Sequence, residues 1–170
     1  MPESPPFVFC PRCGVRLVSG ESSDERARCP GCSFIEYDNP KPGVGVLLFR
    51  EEKILLVRRA QAPRLGMWDF PGGFLKSGET AEDAVVREIY EELQLRITHL
   101  KYLTSVPDVY GSKGFPIINL IYTAVPVGEP VVDRSELESV EWFAPSAIPS
   151  EQIAFPHQVR VLKILAAARP

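Results

Sequence analysis

Glu88, Glu91 and Glu92 carry the strongest chemical signal in this chain of 170 residues. On a helix they stand at i, i+3 and i+4, within an arc of about 100°, so three carboxylates share one face. With Ile89 as the centre of a buried stripe, that face begins about 60° round, at the stripe's edge, neither core nor fully solvated. These glutamates also fall in the last turns of the expected helix, where the macrodipole disfavours each anion by a few tenths to ~1 kcal/mol. The like-charged pair Glu88 and Glu92 adds roughly 0.2–0.5 kcal/mol of repulsion. Arg87 can pair with Glu79 or with the cluster, but one arginine cannot neutralise three carboxylates. Hard divalent cations can, and magnesium is typically held by a couple of carboxylates together with substrate phosphates. A solvated acidic surface face is the competing reading of the three glutamates alone. Pro71-Gly72-Gly73, just before the helix, shifts the balance, because glycines let backbone carbonyls and amides approach a ligand closely.

A second constellation lies near the N-terminus. All four cysteines fall in the first 32 residues, as Cys10-Pro-Arg-Cys13 and Cys29-Pro-Gly-Cys32, with fifteen residues between the pairs. Two residues between ligands let a tight turn present both sulfurs from one side, and two such turns complete a tetrahedron of thiolates, the spacing of a zinc ribbon. Gly14 follows the first pair where such a turn wants positive φ, and Gly31 sits inside the second. Two disulfides, a redox Cys-x-x-Cys or unconnected thiols compete with this reading. Disulfides need an oxidising compartment, and a redox motif does not require a matched second pair. Four thiolates leave no open coordination position, so zinc here is structural, and a segment this poor in apolar residues needs it to fold.

The elements that must position these groups follow from the pattern of the chain. Glu36 to Pro42, with Asn39-Pro40 and Pro42-Gly43, reads as a boundary, dividing a ribbon over residues 1–38 from a larger domain over 39–170. The apolar runs Val44–Phe49 and Ile54–Val57 flank a charged turn and predict a hairpin. Thr80-Ala81-Glu82-Asp83 is a capping pattern, and Ala81, Val85, Ile89 and Leu93 recur at helical spacing behind it. Strand-like runs return at Ile97–Val106, Ile117–Val125 and Val140–Phe143, and Val159–Ala168 predicts a closing helix. Strands and helices in this order predict an α/β sheet with helices packed on it.

Composition sets outer bounds. The chain is 45% hydrophobic and 24% charged, with a net charge of −3, an isoelectric point near 5.5 and mean hydropathy −0.03. These values suit a soluble globular protein and give no global attraction to nucleic acid. No apolar run approaches bilayer length. Residues 1–9 lack a basic start followed by an apolar stretch, so no secretory leader is read and a cytoplasmic location is expected.

Gly73, Glu79, Arg87-Glu88-Ile89, Glu91-Glu92 and Leu95 together resemble the Nudix box, G-x5-E-x7-R-E-U-x-E-E-x-G-U with U aliphatic. One position departs: Gln94 stands where the box has its last glycine, straining a left-handed helix end by ~1 kcal/mol without removing a ligand. The resemblance implies an α/β/α sandwich with a mixed sheet, preceded by the small β zinc ribbon, and a pyrophosphohydrolase dependent on Mg2+ or Mn2+. It implies that the Gly72 carbonyl, Glu88 and Glu92 bind the principal metal, Glu91 a further one, and that Glu79 and Arg87 form a buried pair stiffening the loop against the helix. The proton of the attacking water would pass to Glu88, Glu91 or a later acidic residue, for which Glu136 is the best candidate. A ribbon leading through Tyr37-x-Asn39-Pro40 is similar to two groups, bacterial NADH pyrophosphatases and plant plastid pyrophosphatases acting on FAD or ADP-ribose. Ile148-Pro149 with Ile153-Ala154-Phe155 resembles the second, and Ser105-Val106-Pro107-Asp108 replaces the Trp-Pro-Phe-Pro of the first, so the resemblance leans away from NADH. The expected partner is a nucleotide derivative, and the family resemblance admits a homodimer.

Several residues keep two readings. Arg58 and Arg59 reach substrate phosphate or are strand-end charges. Trp68 reads as core rather than a stacking platform. Phe155, Tyr110 and Phe115 stack on adenine or flavin, or pack. Gly73 and Phe155, with Arg59, form the substrate-binding expectation. Histidine-based catalysis is disfavoured, with only His99 and His157 present, and there is no serine nucleophile elbow. A nucleotide-sensing regulator whose ribbon contacts nucleic acid, and removal of a nucleotide cap from RNA, are the competing functions.

Overall fold

Thr80 closes the first turn of the helix that carries the glutamates: its hydroxyl accepts the Asp83 amide at 3.1 Å while the Asp83 carboxylate accepts the Thr80 amide. This is the reciprocal capping expected from the sequence. In the computed structural model, which describes residues 7–111 and 114–167, the chain separates into two compact units, Met1–Pro40 and Lys41–Pro170.

The first unit holds β1 (Val18–Ser19), β2 (Glu25–Arg28) and β3 (Ile35–Tyr37) in an antiparallel sheet ordered β1-β2-β3. Little apolar surface supports it: among the described residues, Cys10, Ala27 and Cys29 are its buried apolar ones.

The second unit contains, in chain order, β4 (Lys41–Arg50), β5 (Lys53–Arg59), β6 (Trp68–Asp69), β7 (Gly72–Phe74), α1 (Ala81–Leu93), β8 (Arg96–Tyr110), β9 (Phe115–Val127), β10 (Leu137–Phe143) and α2 (Pro156–Ala167). The main sheet runs β10-β5-β4-β9-β8, with β6 on β5 and β7 on β4. Among the described strands the β4–β9 pairing alone is parallel, which makes the sheet mixed. The expected closing helix begins three residues earlier than its apolar pattern, at Pro156, and its expected end at Ala168 lies outside the described residues.

Side chains alternate along the central strands, so both faces of the sheet are apolar. Val44, Val46, Leu48, Leu55 and Val57 meet Val85, Ile89 and Leu93 of α1. Leu47, Ile54, Leu56 and Ile121 meet Trp68, Phe70 and Val161 of α2 on the other side. The result is the α/β/α sandwich.

Two features at the end of α1 matter for the site. Gln94 closes the helix in the left-handed region, φ 52° and ψ 26°, with its amide donated to the Tyr90 carbonyl. The carbonyls of Glu92 and Leu93, orphaned by the helix end, accept the amides of Asp133 and Val131 at 2.9 and 2.8 Å.

Candidate functional site

Packing Val85, Ile89 and Leu93 onto the sheet fixes the rotation of α1 and turns its glutamates toward β7. Glu92 sits deeper than its position at the stripe's edge predicts, only 7% exposed, while Glu91 stays open. The Gly72 amide donates to Glu92 at 3.1 Å. Gly72 has φ 148°, and a Cβ there would come within 2.2 Å of the Val44 carbonyl oxygen. At Gly73 a Cβ would meet a Glu88 carboxylate oxygen at 2.5 Å. Both glycines are therefore required by close approach: one to the neighbouring strand, the other to a carboxylate of the helix.

Arg87 organises the acidic face. Its guanidinium takes both oxygens of Glu79, at 2.5 and 2.9 Å, and reaches Glu88 at 2.7 Å, Glu91 at 2.9 Å and the Phe74 carbonyl at 3.1 Å. Lys76 adds a contact to Glu91 at 3.2 Å. The electrostatic result is uneven. Arg87, helped by the Lys76 amide, holds the Glu79 carboxyl at about 2. Lys76 and Arg87 hold Glu91 low. Burial raises Glu88 despite Arg87, and raises Glu92 far more, with Asp69, Glu88 and Glu136 adding like charge around it.

These groups line one cleft of about 470 Å³. It gathers Gly72, Gly73, Arg87, Glu88, Glu91, Glu92 and Glu136 with Arg59 and Phe155, whereas Glu79 stands behind the wall, bonded to Arg87. Arg58 is turned elsewhere, to the Gly66 carbonyl and Glu138. Trp68 is buried against Phe143, in keeping with its core reading. Phe115 packs on Phe74 and Tyr110.

The donor set suits hard divalent cations. Asp69, Glu88, Glu91, Glu92 and Glu136 outnumber Arg59, Lys76 and Arg87 along the cleft, and two of the carboxylates are costly to ionise unless a cation joins them, although their oxygens are not drawn together as the four sulfurs are. Glu88, Glu91, Glu92 and the Gly72 carbonyl are the groups that could hold it. Each carboxylate is here turned to its own partner, Arg87, Lys76 or the Gly72 amide.

The same cleft is lined by residues that the sequence patterns did not single out. Asp69, 7% exposed, binds Arg59 at 2.5 Å and accepts from Gln158. Arg59 also donates to the Pro63 carbonyl at 2.8 Å and lies over the Phe155 ring at 5.3 Å. Burial works against the charge of Arg59, but Asp69 and Tyr110 hold it. A carboxylate between the aromatic residues of Trp68-Asp69-Phe70 was the available signal, since an unpaired charge is not stable in such a strand.

In the first unit, the sulfurs of Cys10, Cys13, Cys29 and Cys32 all lie within 4.8 Å of one another, the one such group among the described residues. Neighbouring sulfurs are 3.4–3.7 Å apart. A disulfide needs about 2.05 Å, whereas thiolates around zinc at about 2.3 Å stand roughly 3.8 Å apart. The amides of Arg12 and Gly31 point at Cys10 and Cys29, at 3.4 and 3.3 Å. Gly14 takes φ 73°, as the turn requires. Burial pushes the Cys10 thiol up, but the Arg12 amide and the adjacent sulfurs outweigh it and bring it to about 7. For Cys13 the Val15 amide favours the thiolate, yet Cys29, burial and the other thiols push it to about 12. Such crowded sulfurs ionise together only around a cation, so the four cysteines could hold a metal ion.

Comparison with known proteins agrees with this geometry. The NUDIX domain model matches residues 39–163. The chain is 30% identical over 147 residues to the NAD-capped RNA hydrolase NudC of Pseudomonas aeruginosa, covering 83% of this chain and 49% of that protein. The NudC of Vibrio parahaemolyticus is 33% identical over 143 residues, covering 83% and 52%. This chain thus spans about half the length of the curated relatives it matches. The crystal structure of a NUDIX hydrolase from Nitrosomonas europaea superposes with a TM-score of 0.72 at 29% identity, over 96% of this chain and 95% of that one.

Proposed function

We propose, from the premise that this chain belongs to the Nudix family and is a pyrophosphatase of that family, that it cleaves the diphosphate of a nucleoside diphosphate linked to a second moiety, such as FAD or ADP-ribose. The observation that carries the reading is that Glu88, Glu91, Glu92 and Glu136 line one cleft with the Gly72–Gly73 turn, Arg59 and Phe155.

The Gly72 carbonyl, Glu88, Glu91 and Glu92 would hold Mg2+ or Mn2+, which would supply charge neutralisation at the diphosphate and activation of water. Zn2+ held by Cys10, Cys13, Cys29 and Cys32 is structural. Arg87 and Glu79 fix the helix against the turn. Of the three candidates for receiving the water's proton, Glu88 and Glu91 are each engaged by Arg87. Glu136 lines the cleft and has no side-chain partner among the described residues, so it is the base we favour. We assign substrate contact to Arg59, for a phosphate, and to the edge of Phe155, which line the cleft together, Phe155 being largely buried beneath Arg59 and His157, while Gly73 leaves room for the Glu88 carboxylate.

The test is release of AMP from FAD, ADP-ribose, NADH, diadenosine compounds and nucleoside triphosphates in Mg2+ and Mn2+. Turnover of diphosphate-linked compounds ahead of triphosphates is expected, and an inactive panel overturns the proposal. The NudC relatives support a second reading, an NAD cap on RNA as substrate. A capped oligonucleotide hydrolysed in preference to the free dinucleotide would favour it.

A further inference from the structure

His157 is the second residue of α2 and is 5% exposed, yet it lines the cleft. Its Nδ1 lies 2.6 Å from a carboxylate oxygen of Asp108, a residue of β8 distant by 49 positions in the chain. The same oxygen accepts the His157 backbone amide at 3.3 Å. Asp108 is held below its ordinary value: burial pushes it up, but the Val109 amide and His157 outweigh that. The ring stacks on Phe155, with centroids 5.8 Å apart and planes 21° apart, and Phe155 in turn lies 5.6 Å from Tyr110.

Part of this arrangement caps α2, whose first turn receives the Asp108 carboxylate from another strand. Capping accounts for Asp108 and for the backbone amide, but leaves the imidazole unexplained. In the tautomer whose Nδ1 proton faces Asp108, Nε2 is an acceptor. Nε2 makes no hydrogen bond among the described residues. Unlike the Gln158 amide oxygen, which is sealed off and unpaired, Nε2 keeps some exposure to the cleft, where water or a ligand can meet it. The rings of Tyr110, Phe155 and His157 form a row along the cleft, with His157 and its Nε2 at one end.

We infer that His157, positioned by Asp108, is a specificity-determining residue whose Nε2 accepts a hydrogen bond from a donor on the nucleoside half of the substrate. The donor is either an amino group of the base or a ribose hydroxyl. This inference rests on the pyrophosphatase reading for the orientation of the substrate: the diphosphate faces the glutamates, which leaves the ring-bearing half for the aromatic wall.

Two variants separate the contact from the cap. In His157→Asn the amide nitrogen falls near the position of Nδ1, keeping the Asp108 bridge and removing Nε2; in His157→Gln the amide reaches the position of Nε2 instead. They are compared with the unchanged protein on ADP-ribose, its inosine counterpart and its deoxyribose counterparts. His157→Asn should melt as the parent does, with KM for ADP-ribose raised about tenfold, the value of one hydrogen bond, and kcat little changed. The parent should disfavour the one analogue lacking the donor, inosine if the base supplies it or a deoxyribose if the sugar does, and His157→Asn should lose that preference. His157→Gln should recover part of it. An unchanged KM and analogue preference in a well-folded His157→Asn would overturn the inference, as would an equal rise for every analogue. Calorimetric binding of the same nucleotides reads the contact even without hydrolysis, so loss of turnover with retained His157-dependent binding would overturn only the pyrophosphatase reading. Failure of all these nucleotides to bind would overturn both.

Discussion

Arg87 grips Glu79 through both nitrogens of its outer edge, Nε at 2.5 Å and a terminal nitrogen at 2.9 Å. The pair joins the loop after β7 to the middle of α1. Its charge state gives the acid stability of the fold a particular form. The Glu79 carboxyl is lowered to about 2 in the folded chain, against about 4.3 unfolded. A lowered carboxyl contributes stability that is present above the unfolded value and is lost as pH falls through the folded one. Melting temperature measured from pH 5 to pH 2 should therefore drop more steeply in the parent than in Glu79→Gln. Parallel curves would show that the pair contributes nothing.

Glu92 behaves in the opposite sense. Burial raises its carboxyl well above the ordinary value, so the metal-free fold holds a proton that the unfolded chain releases. Stability from this group declines as pH rises from the unfolded value through the folded one. Glu92→Gln should raise the melting temperature of the metal-free protein at pH 8, by roughly 2–4 °C for each kcal/mol relieved. It should also lower kcat by about 100-fold or more. Thermal melts in chelator, paired with AMP release in Mg2+, check both halves. A variant that is less stable and fully active contradicts them.

Gly73→Ala tests the narrow floor of the cleft. The new Cβ would meet a Glu88 oxygen at 2.5 Å, and the flexible end of that side chain is what must yield. A displacement near 1 Å in such a site costs about 100-fold in rate. We expect kcat to fall on that scale while the melting temperature changes little.

Gln94→Gly tests the end of α1. The residue holds φ 52° with its side chain exposed, a conformation that glycine adopts without the strain of a Cβ. The substitution should stabilise the protein by about 1 kcal/mol and leave kcat/KM unchanged. A denaturant midpoint that does not move would refute the strain.

Metal analysis tests the ribbon. One zinc per chain is expected, lost in Cys13→Ser together with the amide protection of residues 16–37 in hydrogen exchange. Retained protection in the metal-free variant would mean that the thiols hold nothing.

Local signals were the legible ones. The cap at Thr80, the stripe of Val85, Ile89 and Leu93 and the paired Cys-x-x-Cys turns are fixed by neighbours within a few residues, and each forms where its pattern places it. Long-range pairings were not legible. Nothing in the periodicity announces that β4 and β9 run parallel, or that Asp108 meets His157. The three glutamates share a face as expected, but their depths differ, because packing of the core, not helical geometry, sets the rotation of α1. Asp69 went unnoticed because its partners Arg59 and Gln158 come from two other elements.

The amides of Val131 and Asp133 are tied to the last carbonyls of α1, and the same short loop carries Glu136 to the cleft. The proposed proton acceptor and the acidic helix are thereby bolted to one frame. Lengthening the loop between Asp133 and Glu136 would leave that bolt in place but break the turn in which the Asp133 carbonyl accepts the Glu136 and Leu137 amides, leaving Glu136 held only by the Ala60 amide on its carbonyl, whereas lengthening before Val131 would be tolerated. Exchanging this segment between homologues would succeed only if the helix terminus travels with it.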